Sequence, residues 1–126
     1  MFFYIYNNQS ILPLKKVKYS VNNKMVNTKQ DILNVLDKSR SRLKALGVRR
    51  IGLFGSFTRG EQSSCSDIDL LVEFEPARKT FDTFMELSFF LEEALGHKID
   101  LVTAESLSPY IGPYILREVE YAAFAA

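Results

Sequence analysis

Between residues 28 and 124 the apolar positions recur with two periods, and the switches between them mark the elements. Thr28 and Asp31, three residues apart, have the form of a capping box. Ile32, Leu36, Leu43 and Leu46 follow at helical spacing until Gly47 stops the run. "VRRIGLF" (48–54) reads as a strand, and "SDIDLLVEF" (66–74), with its alternation, as a second. The polar loop between them has room for one helical turn beginning near Ser56. After "EPARK", Phe84, Leu87, Leu91 and Leu95 mark an amphipathic helix closed by Gly96, and "HKIDLV" (97–102) is a short third strand. "PYILREVEYAAF" reads as a last helix with Pro113 in its first turn. The order helix–strand–strand–helix–strand–helix predicts an α/β fold with a small mixed β-sheet flanked by helices.

This pattern gives two carboxylates an unusual setting. On a strand, residues i and i+2 share a face about 7 Å apart, so Asp67 and Asp69 point the same way while Ile68, Leu70 and Val72 face the core. Two unpaired carboxylates so close repel each other, and burying them beside a sheet is costly. A divalent cation removes that cost. Mg²⁺ is held by one or two carboxylates and completed by water and substrate phosphates. Asp100 lies in the third strand with the same alternation, between inward-facing Ile99 and Leu101. If the two strands are neighbours, Asp100 joins the pair, and three converging carboxylates suit a two-metal phosphoryl-transfer centre with ions about 3.5–4 Å apart.

Gly55-Ser56 supplies the other half. Gly55 has no Cβ, so a phosphate can approach its backbone. A helical turn starting at Ser56 presents free N–H groups to the same anion, and the Ser56 hydroxyl adds a donor. Arg59, one turn on, is within reach of a triphosphate. Each piece alone is common. The spacing G-S, ten residues, D-x-D, placed between two strands, is not.

Composition bounds the rest. The chain has 126 residues, 47% of them hydrophobic and 25% charged, enough for one domain. Its net charge of +1 gives no basic field of the kind nucleic acid selects, so no direct nucleic-acid contact is expected. Residues 1–24 carry four lysines and no acid, leaving 12 basic against 15 acidic groups, net −3, in residues 25–126. Residues 1–24 read as an N-terminal extension, either a frayed basic tail or upstream sequence with Met25 as the true start, and residues 25–126 as the domain. The single cysteine, Cys65, excludes an internal disulfide and fits a reducing cytosol. "MFFYIY" is too short for a signal peptide or a membrane span, so a cytoplasmic protein without a membrane partner is expected. His97 reads as a loop residue, and Glu61 and Glu73 as surface positions. Phe81, Phe84, Phe89 and Phe90 exceed what one helix face needs, which suggests core plus a partner surface.

"GSFTRGEQSSCSDIDLLVEF" resembles the signature of the DNA polymerase β-like nucleotidyltransferase superfamily, in its minimal nucleotidyltransferase (MNT) branch. The similarity extends from about Met25 through "HKIDLVTAESL" and "SPYIGPYILREVEYA", about four-fifths of the chain. The resemblance implies a polymerase β-like core without an accessory domain. It implies that Gly55 and Ser56 hold nucleotide phosphates and that Asp67 and Asp69 bind Mg²⁺, two ions per site, with Asp100 completing the centre. It further implies AMP transfer from ATP, with a HEPN-type ribonuclease toxin as partner in a hetero-oligomer. In such a toxin–antitoxin pair the antitoxin adenylylates a toxin tyrosine. Two rival readings stay beside this one: a binding-only antitoxin that occludes its toxin, and an aminoglycoside-type adenylyltransferase working with a helical partner.

Overall fold

The first helix starts where the capping pattern places it. In the computed structural model, which describes residues 26–63 and 65–123, α1 spans Lys29–Lys38. Thr28 Oγ1 accepts the Asp31 amide at 3.1 Å, and the Asp31 carboxylate accepts the Thr28 amide at 3.1 Å. The proposed extension over residues 1–24 and Phe124 lie outside the described residues. The single helix expected up to Gly47 is two, because the chain tightens at Ser39, whose amide is shared between the Val35 and Leu36 carbonyls. Arg40–Ala45 then forms α2, which places Leu43 and Leu46 in the core.

Four strands follow: β1 (Val48–Phe54), β2 (Ile68–Phe74), β3 (Ile99–Thr103) and β4 (Glu120–Tyr121). They form one sheet in the order β3-β2-β1-β4. β1 runs antiparallel to β2 and β4, while β2 and β3 are parallel. A parallel pair needs a crossover, here α3's successor α4 (Phe81–Leu95), where α3 is the single turn Ser56–Arg59. α4 is capped by Thr80 and closed by Gly96 in a left-handed conformation. The core takes alternate residues of the sheet, Ile51, Leu53, Ile68, Leu70 and Val72, against Ile32, Leu36, Leu43, Leu87, Leu91 and Leu95. All of these are fully buried, each contributing about 1.5–3 kcal/mol. Of the four phenylalanines in α4, Phe84 and Phe90 pack on this core, whereas Phe81 and Phe89 are exposed.

β3, expected over 97–102, runs Ile99–Thr103, and two further boundaries differ from the reading of the sequence, for different reasons. β2 begins at Ile68 rather than Ser66, because Ser63 and Ser66 bond one another in a turn and the first link to the segment entering β3 is Ile68 N–H to the Lys98 carbonyl at 3.0 Å. Asp67 therefore stands just ahead of the strand. The last helix, α5, stops at Glu118, having started at Gly112. Val119 is extended (φ −62°, ψ 138°), and the chain returns to the open edge of β1 as β4. "LREVEYAA" has strong helical propensity, but pairing and burial override it.

Gly52 in β1 makes that return possible. A Cβ there would meet Val119 Cγ2 at 2.6 Å, Tyr121 Cδ1 at 2.9 Å and the Glu120 carbonyl at 3.1 Å. Gly52→Ala should therefore push β4 off the sheet and cost about 1–3 kcal/mol. Urea unfolding would read the loss, and faster exchange of the Ala122 amide, which donates to the Ile51 carbonyl at 2.9 Å, would place it at β4.

Candidate active site

The site forms where β1 ends and β2 and β3 begin. Strand register brings it together: Phe54 of β1 pairs with Asp69 of β2, and Asp69 pairs with Asp100 of β3. The residue after Phe54 is Gly55, so the turn emerges directly against Asp69. Gly55 has φ 82° and ψ −154°, a region costly for a residue with a side chain. A Cβ there would also lie 2.1 Å from Asp69 Oδ2. The space expected for a phosphate beside Gly55 is thus shared with the Asp69 carboxylate.

Gly55 is followed by the short α3, as its sequence suggests, and Gly60 ends it at φ 71°. Buried Phe57 anchors the turn in the core and meets the His97 ring edge-on at 5.8 Å. His97 is accordingly a packing residue. The amides of Ser56 and Phe57 open the helix and have no carbonyl of their own helix to bond, so they are donors for an anion. Gln62 Nε2 donates to the Asn27 carbonyl at 2.7 Å, which ties the polar loop to the start of α1. Cys65 lies exposed in that loop.

The three aspartates are unequally placed. Asp67 and Asp69 are half-buried and Asp100 is exposed. Burial, then the charges of Asp100 and Asp67, push the Asp69 carboxyl from its ordinary 3.8 up to about 6, while Arg59 acts in the opposite direction. Asp69 therefore feels both neighbouring carboxylates. Among the described residues, no group of three Asp, Glu, His or Cys side chains is gathered tightly enough to hold a metal ion by itself. An all-oxygen donor set of few carboxylates, one of them loaded with repulsion, fits a hard cation that keeps water and phosphate oxygens for its other positions.

Arg59 is engaged within the protein. Its Nε donates to Glu61 Oε1 at 2.9 Å and its Nη1 to Glu118 Oε1 at 2.6 Å. These two bonds, Glu61's first, hold its guanidinium above the ordinary arginine value. Glu118 was not singled out from the sequence. Its second oxygen accepts the Gly55 amide at 2.6 Å. Burial raises the Glu118 carboxyl, but the Gly55 amide and Arg59 outweigh it and hold it below the ordinary value. Glu73, the other acid considered, pairs with Arg50 at 2.9 Å within β1–β2.

Comparison with known proteins finds a family for this chain. The model of the nucleotidyltransferase domain matches residues 35–122. The protein adenylyltransferase MntA of Thermococcus cleftensis is 42% identical over 95 residues, covering 75% of this chain and 95% of the relative. A solved structure assigned as a minimal nucleotidyltransferase superposes with a TM-score of 0.65 at 33% identity, covering 75% of this chain and 95% of the other. The crystal structure of a toxin–antitoxin with AMP-PNP contains a chain that superposes with a TM-score of 0.58 at 26% identity, over 71% of each.

The raised Asp69 value has a thermodynamic consequence in the metal-free protein. Below pH 4 Asp69 holds its proton folded or unfolded. Between the two values the folded chain keeps a proton that the unfolded chain releases, so this stabilisation is lost as pH rises through about 6. The displacement corresponds to about 3 kcal/mol unscreened, and a half-exposed group retains about 1 kcal/mol of it. Asp69→Asn should leave stability unchanged at pH 4 and raise it by about 1 kcal/mol at pH 7.5. Denaturant titrations in EDTA at the two pH values check this.

Proposed function

The chain belongs to the nucleotidyltransferase domain family, and from that premise we propose that it is a Mg²⁺-dependent protein adenylyltransferase and antitoxin. It would transfer AMP from ATP to a tyrosine hydroxyl of a HEPN-type ribonuclease toxin and so neutralise it. The observation that carries the reading is the register Phe54–Asp69–Asp100, which aligns the Gly55 turn and two carboxylates across three adjacent strands. Asp67 adds a third carboxylate from the residue before β2.

In this reading Asp67 and Asp69 would hold the metal, with Asp100 adding a carboxylate from the next strand and water and phosphate oxygens completing the set. When bound, Mg²⁺ supplies charge neutralisation for the phosphate oxygens. The Ser56 and Phe57 amides and the Ser56 hydroxyl would orient the triphosphate. The acceptor oxygen bonds to the α-phosphorus as the bond to pyrophosphate breaks, and exposed Asp100 takes the hydroxyl proton. Catalysis rests on positioning and electrostatics rather than on a covalent intermediate. A protein acceptor is supported by the relative named as a protein adenylyltransferase and by the neighbour that is a toxin–antitoxin bound to AMP-PNP. It is supported too by exposed Tyr110, Ile111, Tyr114 and Leu116, which lie on and before the helix that ends at Glu118.

Purified protein, cognate toxin and Mg-ATP should yield toxin heavier by one AMP per transfer, located on tyrosine by peptide mass spectrometry. Asp67→Asn combined with Asp69→Asn should lower the rate by on the order of 10³-fold, the size of losing one electrostatic stabiliser of the transition state. Chelation by EDTA should do the same. Toxin neutralised without any mass increase would favour binding alone, and label appearing on an aminoglycoside without toxin would favour a small-molecule transferase. Gly55→Ala, which drives a methyl group into Asp69, should abolish transfer while costing about 1–3 kcal/mol of stability.

A further inference from the structure

Outside the aspartates, one side chain spans the site. Glu118 is the last residue of α5; the chain after it is fixed to the sheet, with Val119 and the β4 residue Tyr121 close over Gly52 and Glu120 paired with Lys29 at 2.8 Å. One of its oxygens accepts the Gly55 amide at 2.6 Å and the other accepts Arg59 Nη1 at 2.6 Å. Gly55 in turn lies against the Asp69 carboxylate. A glycine at positive φ has no side chain to restrain it; the Gly55 carbonyl is held by the Thr58 and Arg59 amides at 3.0 and 3.3 Å, and its amide by Glu118. Contacts therefore run without a gap from the C-terminal segment through Glu118 and Gly55 to Asp69.

We infer that Glu118 is a positioning residue for nucleotidyl transfer: its carboxylate sets the Gly55 turn against Asp69, and Arg59 serves to orient Glu118 rather than to bind phosphate. The inference rests on the nucleotidyltransferase reading above. Arg59 is already paired with two carboxylates, so the Ser56 and Phe57 amides remain the donors that meet the triphosphate. Glu118 touches neither nucleotide nor metal in this assignment. Its loss should act on the geometry of the reacting groups and leave nucleotide affinity nearly untouched.

The test compares Glu118→Ala with Glu118→Gln, which keeps an acceptor oxygen for the Gly55 amide. Steady-state transfer is measured with Mg-ATP, the folded fraction by thermal unfolding, and exchange of the Gly55 amide by NMR. Glu118→Ala should lower kcat about 10–100-fold, as displaced catalytic geometry does, with KM for ATP within about two-fold. Its Gly55 amide should exchange at least about ten-fold faster. Glu118→Gln should recover most of the rate and the protection. Wild-type kcat in Glu118→Ala, an equal loss in Glu118→Gln, or a loss no larger than the fall in folded fraction would each overturn the inference. If the wild type transfers no AMP, the functional reading fails by itself. Gly55 exchange then decides alone, and unchanged exchange in Glu118→Ala overturns the role given to Glu118.

Discussion

The site depends on the register of β2. Ile68, Leu70 and Val72 are all fully buried against the helices, and a strand has a side-chain period of two. A slip of one residue would bring these three out and turn Asp69 into the apolar core, at a cost of several kcal/mol for the carboxylate alone. The same burial that stabilises the sheet therefore fixes Asp69 opposite both Phe54 and Asp100. Placement of the chemistry needs no dedicated scaffold. It follows from packing on the other face.

That placement gathers charge of one sign. Asp69 is half-buried between two other carboxylates and responds by holding its proton to about pH 6. Arg59 opposes this rise, but it is also paired with Glu61 and Glu118, whose charges offset its own. The fold thus leaves the aspartates short of compensation, a state that a divalent ion with its phosphates relieves. In the proposed function, the electrostatic strain of the free protein and an affinity for metal-bound nucleotide would have one origin.

The C-terminal segment has a double place in this arrangement. On its inner side, β4 extends the sheet and α5 brings Glu118 to the Gly55 turn. On its outer side, Tyr110, Ile111, Tyr114 and Leu116 are exposed, and Arg117 stacks over the Tyr114 ring at 4.8 Å. A protein bound to these apolar and aromatic residues would rest on the helix that carries Glu118.

Much of this was legible in the residues, and the line between legible and hidden follows sequence distance. The capping box at Thr28, the strand over 48–54, the turn at Ser56, the stop at Gly96 and the Asp67–Asp69 pair are all set within a few residues. Capping, periodicity and left-handed glycine act over that range, so the linear pattern states them. β4 was hidden, because a helical-looking segment becomes a strand only when the open edge of β1 and the bare face of Gly52 receive it. Glu118 was hidden for the same reason. It lies 63 residues from the amide it holds, and no local pattern distinguishes it from Glu120, which faces Lys29. The sequence by itself determined the candidate groups and the strands that carry Asp69 and Asp100, with Asp67 one residue ahead of its strand. Only the tertiary structure decided how the turn bearing Gly55 is held and what occupies Arg59, because those depend on where the end of the chain returns to the sheet.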